Sequence, residues 1–132
     1  EWAKSVPGSE ARIYQGGFHF IDFTDIKNPV ESAIYQVPEV GSHNHWVEGD
    51  TLFAGYYYGG IRILDISGEL MGDLYAQGRE IAFFKGVDPD GSTANQTNVW
   101  GVIPYKGLIY FADLNNGLWA VRLVENEPLG TN

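Results

Sequence analysis

A heptapeptide pattern occurs three times in this chain, twice closely and once loosely. Gly16-Gly17-Phe18-His19-Phe20-Ile21-Asp22 returns 43 residues later as Gly59-Gly60-Ile61-Arg62-Ile63-Leu64-Asp65, and Asn116-Gly117-Leu118-Trp119-Ala120-Val121-Arg122 follows 57 further on. A repeat of that length is one supersecondary unit that buries its apolar face only against a neighbour, so the chain is committed to stacking. Apolar residues alternate with period two, interrupted by Gly, Asp and Asn, which is the mark of short antiparallel strands joined by tight turns. Helix signals are nearly absent. The best window, residues 68–80, is broken by Gly72 and Gly78 and reads as a loop with a short helical turn.

The complete unit, residues 41–88, predicts strands at 43–48, 50–57, 60–67 and 79–85. Glu48-Gly49-Asp50-Thr51 puts a glycine where a two-residue hairpin turn needs positive φ. The partial unit before it, residues 12–40, supplies strands at 18–23 and 32–37, with part of an earlier strand at 12–14. After an insertion loop at 88–97, a three-stranded unit at 98–125 holds strands at 98–103, 108–113 and 118–124, and residues 126–132 form a tail. A period of about 40 to 45 residues with several short strands is that of a β-propeller blade. The expected fold is therefore all-β, made of four-stranded antiparallel blades, as an incomplete propeller or a fragment of one.

Phe18-His19-Phe20-Ile21-Asp22-Phe23-Thr24-Asp25-Ile26-Lys27-Asn28-Pro29 and Ile61-Arg62-Ile63-Leu64-Asp65-Ile66-Ser67 resemble the LVIVD-repeat β-propeller proteins. In that family an aliphatic third strand ends in Asp, and a short turn closes with Asn-Pro or Asp-Pro before the outer strand. The likeness covers about residues 12–125, although Arg122 stands where an acidic residue is expected. It implies a protein exported from bacterial cells, periplasmic or at the cell surface, acting as a binding or scaffolding module rather than an enzyme.

A closed propeller has about four to eight blades, so this chain of 132 residues holds too few. Three ways to cover the open faces remain: further blades of a longer chain, which is the favoured expectation, several copies completing one another, or another protein. The chain opens on Glu rather than Met, which fits processing, excision from something longer, or partial reading. Residues 1–10 carry neither a basic start nor an apolar stretch, so no signal peptide is visible, and no apolar run is long enough for a transmembrane helix. Eight Lys and Arg against seventeen Asp and Glu give a net charge of −9, which repels phosphate backbones and argues against nucleic acid as a partner. With no cysteine, thiol chemistry and Cys-ligated metals are excluded.

Ser42-His43-Asn44-His45-Trp46 is the most conspicuous polar constellation. Strand alternation puts His43 and His45 on one face, where two imidazoles can offer nitrogen ligands to Zn, Cu or Fe, or can hydrogen-bond backbone and carboxylates at a channel mouth. Asp88-Pro89-Asp90-Gly91-Ser92 has the start of a calcium loop, with Asp88 and Asp90 as ligands, but lacks the acidic residue at its twelfth position, where Val99 sits. Asp22 and Asp65 recur once per unit and are read as accepting hydrogen bonds from turn amides rather than as a catalytic pair. No nucleophile elbow, phosphate-binding loop or Ser-His-Asp set is present. Among the aromatics, Trp46, Tyr57 and Trp119 are the candidates for partner contact.

The expected function is a non-catalytic, extracytoplasmic protein-binding or scaffold module, an accessory structural subunit of a larger membrane-associated assembly, with no cofactor. Its partners are other protein subunits or further blades of its own chain. The alternative is a metal-binding propeller enzyme or metal carrier using His43 and His45.

Overall fold

A computed structural model describes residues 16–38 and 40–124; the strand expected at 12–14 and the tail at 126–132 lie outside them. In chain order the elements are β1 (Phe18–Asp22), β2 (Val30–Tyr35), β3 (His45–Glu48), β4 (Thr51–Tyr56), a 3-10 turn (Tyr57–Gly59), β5 (Gly60–Asp65), β6 (Gly72–Asp73), β7 (Glu80–Phe84), β8 (Val99–Tyr105), β9 (Leu108–Asp113) and β10 (Gly117–Val121). The fold is all-β, arranged as three small sheets that do not close into a barrel: β1-β2-β6, β3-β4-β5-β7 and β10-β9-β8. Every pairing is antiparallel except β2 with β6, a two-residue parallel contact. The loop at 68–80, expected to carry only a helical turn, also lends this strand to the edge of the first sheet. Its turn is closed by the Asp73 carboxylate, which accepts from the Ala76 amide at 3.0 Å.

The sheets repeat at the level of single residues. In the β1–β2 hairpin Phe20 pairs with Ala33 and Ile21 with Glu31, so Ser32 is an extra residue. In the β5–β7 pair Ile63 faces Ala82 and Leu64 faces Glu80, so Ile81 is extra at the equivalent place. Such bulges change the local twist and twice place a glutamate on the same face of the same turn of sheet. A second bulge recurs at the start of the inner strand. His43 and Asn44 both bond Gly55, and Trp100 is skipped between Val99, opposite Asp113, and Gly101, opposite Ala112.

Alternation divides the middle sheet between two cores. Leu52, Ala54, Tyr56 and Leu64 point back onto Ala33, Tyr35, Phe18 and Phe20 of the first sheet. Phe53, Ile61 and Ile63 point forward onto Val99, Val102, Ile109 and Phe111 of the third. Burying each of the Leu, Ile, Val and Phe side chains among them is worth about 1.5–3 kcal/mol, and it is this two-sided burial that holds short strands in place. Gly60 is needed where β5 begins: its φ is +78° and a Cβ there would lie 2.2 Å from the Phe84 carbonyl oxygen.

The first interface also contains polar groups. Arg62 bonds both oxygens of Glu80, at 3.2 and 3.1 Å, and the Gly59 carbonyl at 3.0 Å. Glu80 in turn accepts from the Tyr35 hydroxyl of the first sheet. Tyr56 donates to the Tyr35 carbonyl at 3.0 Å. Burial, followed for Tyr35 by the hydrogen bond and charge of Glu80, raises both phenols far above the ordinary tyrosine range.

Candidate functional site

The end of the molecule where β3 and β8 begin carries most of the chemistry. The His43 ring stacks on Trp100, with centroids 5.0 Å apart, and meets Tyr57 edge-on at 5.4 Å. His43 Nδ1 lies 2.7 Å from the Trp100 carbonyl oxygen, and the Trp100 indole donates to Asn98 at 3.2 Å. His43 and Trp100 are the bulged residues of adjacent sheets, so the repeat itself brings them together. The bulge also breaks the alternation expected for the two histidines. His45 lies on the other side of its strand, where its ring packs edge-on against Phe18 of the first sheet, at 5.1 Å.

An open cleft of about 400 Å³ is lined by Tyr58, which follows Tyr57 in the chain, and by Lys85, Val87, Asn95, Gln96 and Thr97. Its outer wall is the insertion loop, fixed from below by Asp113. That buried carboxylate accepts from the Thr97 hydroxyl at 2.5 Å, the Asn98 amide at 2.9 Å and the amides of Asn115 and Asn116 at 2.8 and 3.1 Å. Asn116 then ties the loop shut by donating to the carbonyls of Gly86 and Gln96, both at 2.8 Å. Four donors satisfy the acceptor capacity of this buried side chain. Neither Asp113 nor Asn116 stands out in the sequence, because a single Asp at a strand end looks like any other turn residue.

The remaining candidates are dispersed. Asp88 accepts from the Asp90 amide at 2.8 Å, so the aspartates of the calcium-like stretch close a turn on each other. Among the described residues no three His, Cys, Asp or Glu side chains converge as a metal-holding group. Trp46 is about half exposed, whereas Trp119 packs between the second and third sheets, stacked with Phe111 at 6.0 Å. Asp22 and Asp65 accept from the amides of Thr24 and Ser67, each at 2.8 Å, as the repeat predicts. Hydrogen bonds from the side chain and amide of Thr24 and of Ser67 hold both carboxyls below their ordinary range.

Among the described residues no sheet packs on the forward face of the third sheet. Ile103, Tyr105, Tyr110, Ala112, Leu118 and Ala120 lie there, and none is charged. Leu118 is 76% exposed, while Ile61, its counterpart in the repeat, is 1% exposed. No helix among the described residues is long and apolar enough to cross a membrane. No protein-family model matches the chain, nor does any curated protein or solved structure.

Proposed function

We propose that this chain is a non-catalytic binding and scaffold module built of β-propeller blades of the LVIVD-repeat kind. It acts outside the cytoplasm as an accessory structural subunit of a larger assembly. The observation that carries this reading is the exposed apolar forward face of the third sheet, since a contiguous exposed apolar face is characteristic of interaction surfaces. The matching bulges of successive hairpins support the blade reading, because equivalent irregularities at equivalent places mean that one structural unit is being reused. The acidic net charge suits partners that are basic or of mixed charge.

The test compares the mass of the protein from its source under native and denaturing conditions, with and without Leu118→Glu. A native mass above the denatured one that falls in the variant supports the reading. Equal masses in both proteins would show that the face is not an interface.

A second reading, small-ligand binding, is favoured by the His43–Trp100–Tyr57 ring cluster and by the open cleft. The rings suit the flat apolar face of a ligand, and a cleft lined by Lys85, Asn95 and Gln96 suits a polar or anionic group. Quenching of Trp100 fluorescence by such ligands, lost in Trp100→Phe, would support it.

A further inference from the structure

We infer that the bare forward face of the third sheet is covered by the rear face of the first sheet of a second copy of this chain, in a head-to-tail pair. This rests on the reading of the chain as a stacking blade module and names its partner.

The complement is visible within one chain. Leu118, Ala120, Tyr110 and Ala112 occupy the places of Ile61, Ile63, Phe53 and Gly55 in the pairings of β10 with β9 and of β5 with β4. In the second sheet Phe53, Ile61 and Ile63 are buried at 9%, 1% and 3% exposure against the next sheet. The forward face of the third sheet is thus the same kind of surface with its neighbour missing.

On the rear side, the β1–β2 hairpin of the first sheet matches the β5–β7 pair of the second. His19, Ile21 and Glu31 stand where Arg62, Leu64 and Glu80 stand. The His19–Glu31 pair is 53% and 50% exposed, whereas Arg62–Glu80, covered by the first sheet, is 9% and 17% exposed. Among the described residues no sheet packs on the forward face of the third sheet or on the rear face of the first, and each carries residues that elsewhere in the chain meet a complement. Two copies joined at both contacts give six sheets in sequence, within the four to eight over which such stacks close into a ring. A heterologous contact of this kind leaves no face open once the ring closes.

The experiment is sedimentation velocity on the 132-residue chain at micromolar concentration, with two variants. Leu118→Glu blocks the forward face and Ile21→Glu the rear face; Ile103→Glu and Ile34→Glu replace either one whose circular dichroism departs from the parent's. The parent is expected to sediment as a dimer. Each variant alone is expected to be monomeric, its association weakened about thirtyfold or more. An equimolar mixture is expected to recover a 1:1 pair, because each variant retains the face that the other lacks. A monomeric parent, a variant that dimerises like the parent, or a mixture that stays monomeric would each overturn the inference. If the parent is monomeric while its native assembly still loses mass in Leu118→Glu, the face belongs to a different partner, and only the choice of a second copy fails.

Discussion

Arg62 and His19 hold the same position in successive hairpins, each facing a glutamate across the same bulge, yet one pair is buried and the other stands in water. The difference comes from what packs on them and not from the hairpins. The first sheet lays Tyr35 against Glu80, so Arg62, Glu80 and the Tyr35 hydroxyl satisfy one another away from solvent.

The consequence for stability is unequal. Glu80→Gln removes the charge that Arg62 needs and weakens the acceptor that Tyr35 uses, and should cost about 2–4 kcal/mol, since a buried ion left alone is expensive. His19→Ala should cost less than about 1 kcal/mol, because exposed pairs contribute little. Urea unfolding of both variants reads the contrast directly, and equal losses would contradict it.

Tyr35 and Tyr56 make stability depend on alkaline pH. Burial raises both phenols in the folded protein, so the unfolded chain gives up these protons first, near the ordinary tyrosine value of about 10. Their contribution is complete below that pH and shrinks as pH rises above it, by about 1.4 kcal/mol per pH unit for each group. The melting temperature should hold steady from about pH 7 to 9 and fall beyond 10. Tyr35→Phe should melt lower at neutral pH, having lost the bond to Glu80, and show a shallower alkaline fall. A variant with an unchanged alkaline slope would exclude Tyr35 as a source.

Asp113 is expected to control the insertion loop. Asp113→Ala abandons four donors, two of them on the loop's return into β8, and should cost about 2–4 kcal/mol. Thr97→Val removes one donor and should cost about 1 kcal/mol. Limited proteolysis should cut residues 88–97 faster in Asp113→Ala than in Thr97→Val, and identical cleavage rates would argue that Asn116 alone holds the loop.

Strand positions were legible because period-two alternation is a direct record of two-sided burial, and the heptapeptide repeat located β1, β5 and β10 together. The aspartate turns were legible for the same reason: Asp22 and Asp65 recur with Thr24 and Ser67 two residues on. The bulges were not. Ser32, Ile81, His43 and Trp100 share no residue type, and an extra residue in one strand is defined only by the partner strand's register. That is why His43 and His45, two apart, were expected on one face but contact different sheets. β6 was hidden because two residues are too short to show a period.

His43 separates the ligand and metal readings. Its ring is held by Trp100, Tyr57 and the Trp100 carbonyl, so His43→Ala should cost about 1–2 kcal/mol through lost ring contact and hydrogen bonding. His45→Ala should cost about 1 kcal/mol, through its edge-on ring contact with Phe18. If both histidines serve packing, elemental analysis of the purified protein should give the same metal content before and after either change, and the two losses should add, since they lie on different interfaces. Stoichiometric Zn, Cu or Fe that disappears in either variant, with a melting temperature that rises on adding that metal to the parent, would instead favour a metal centre built on the pair.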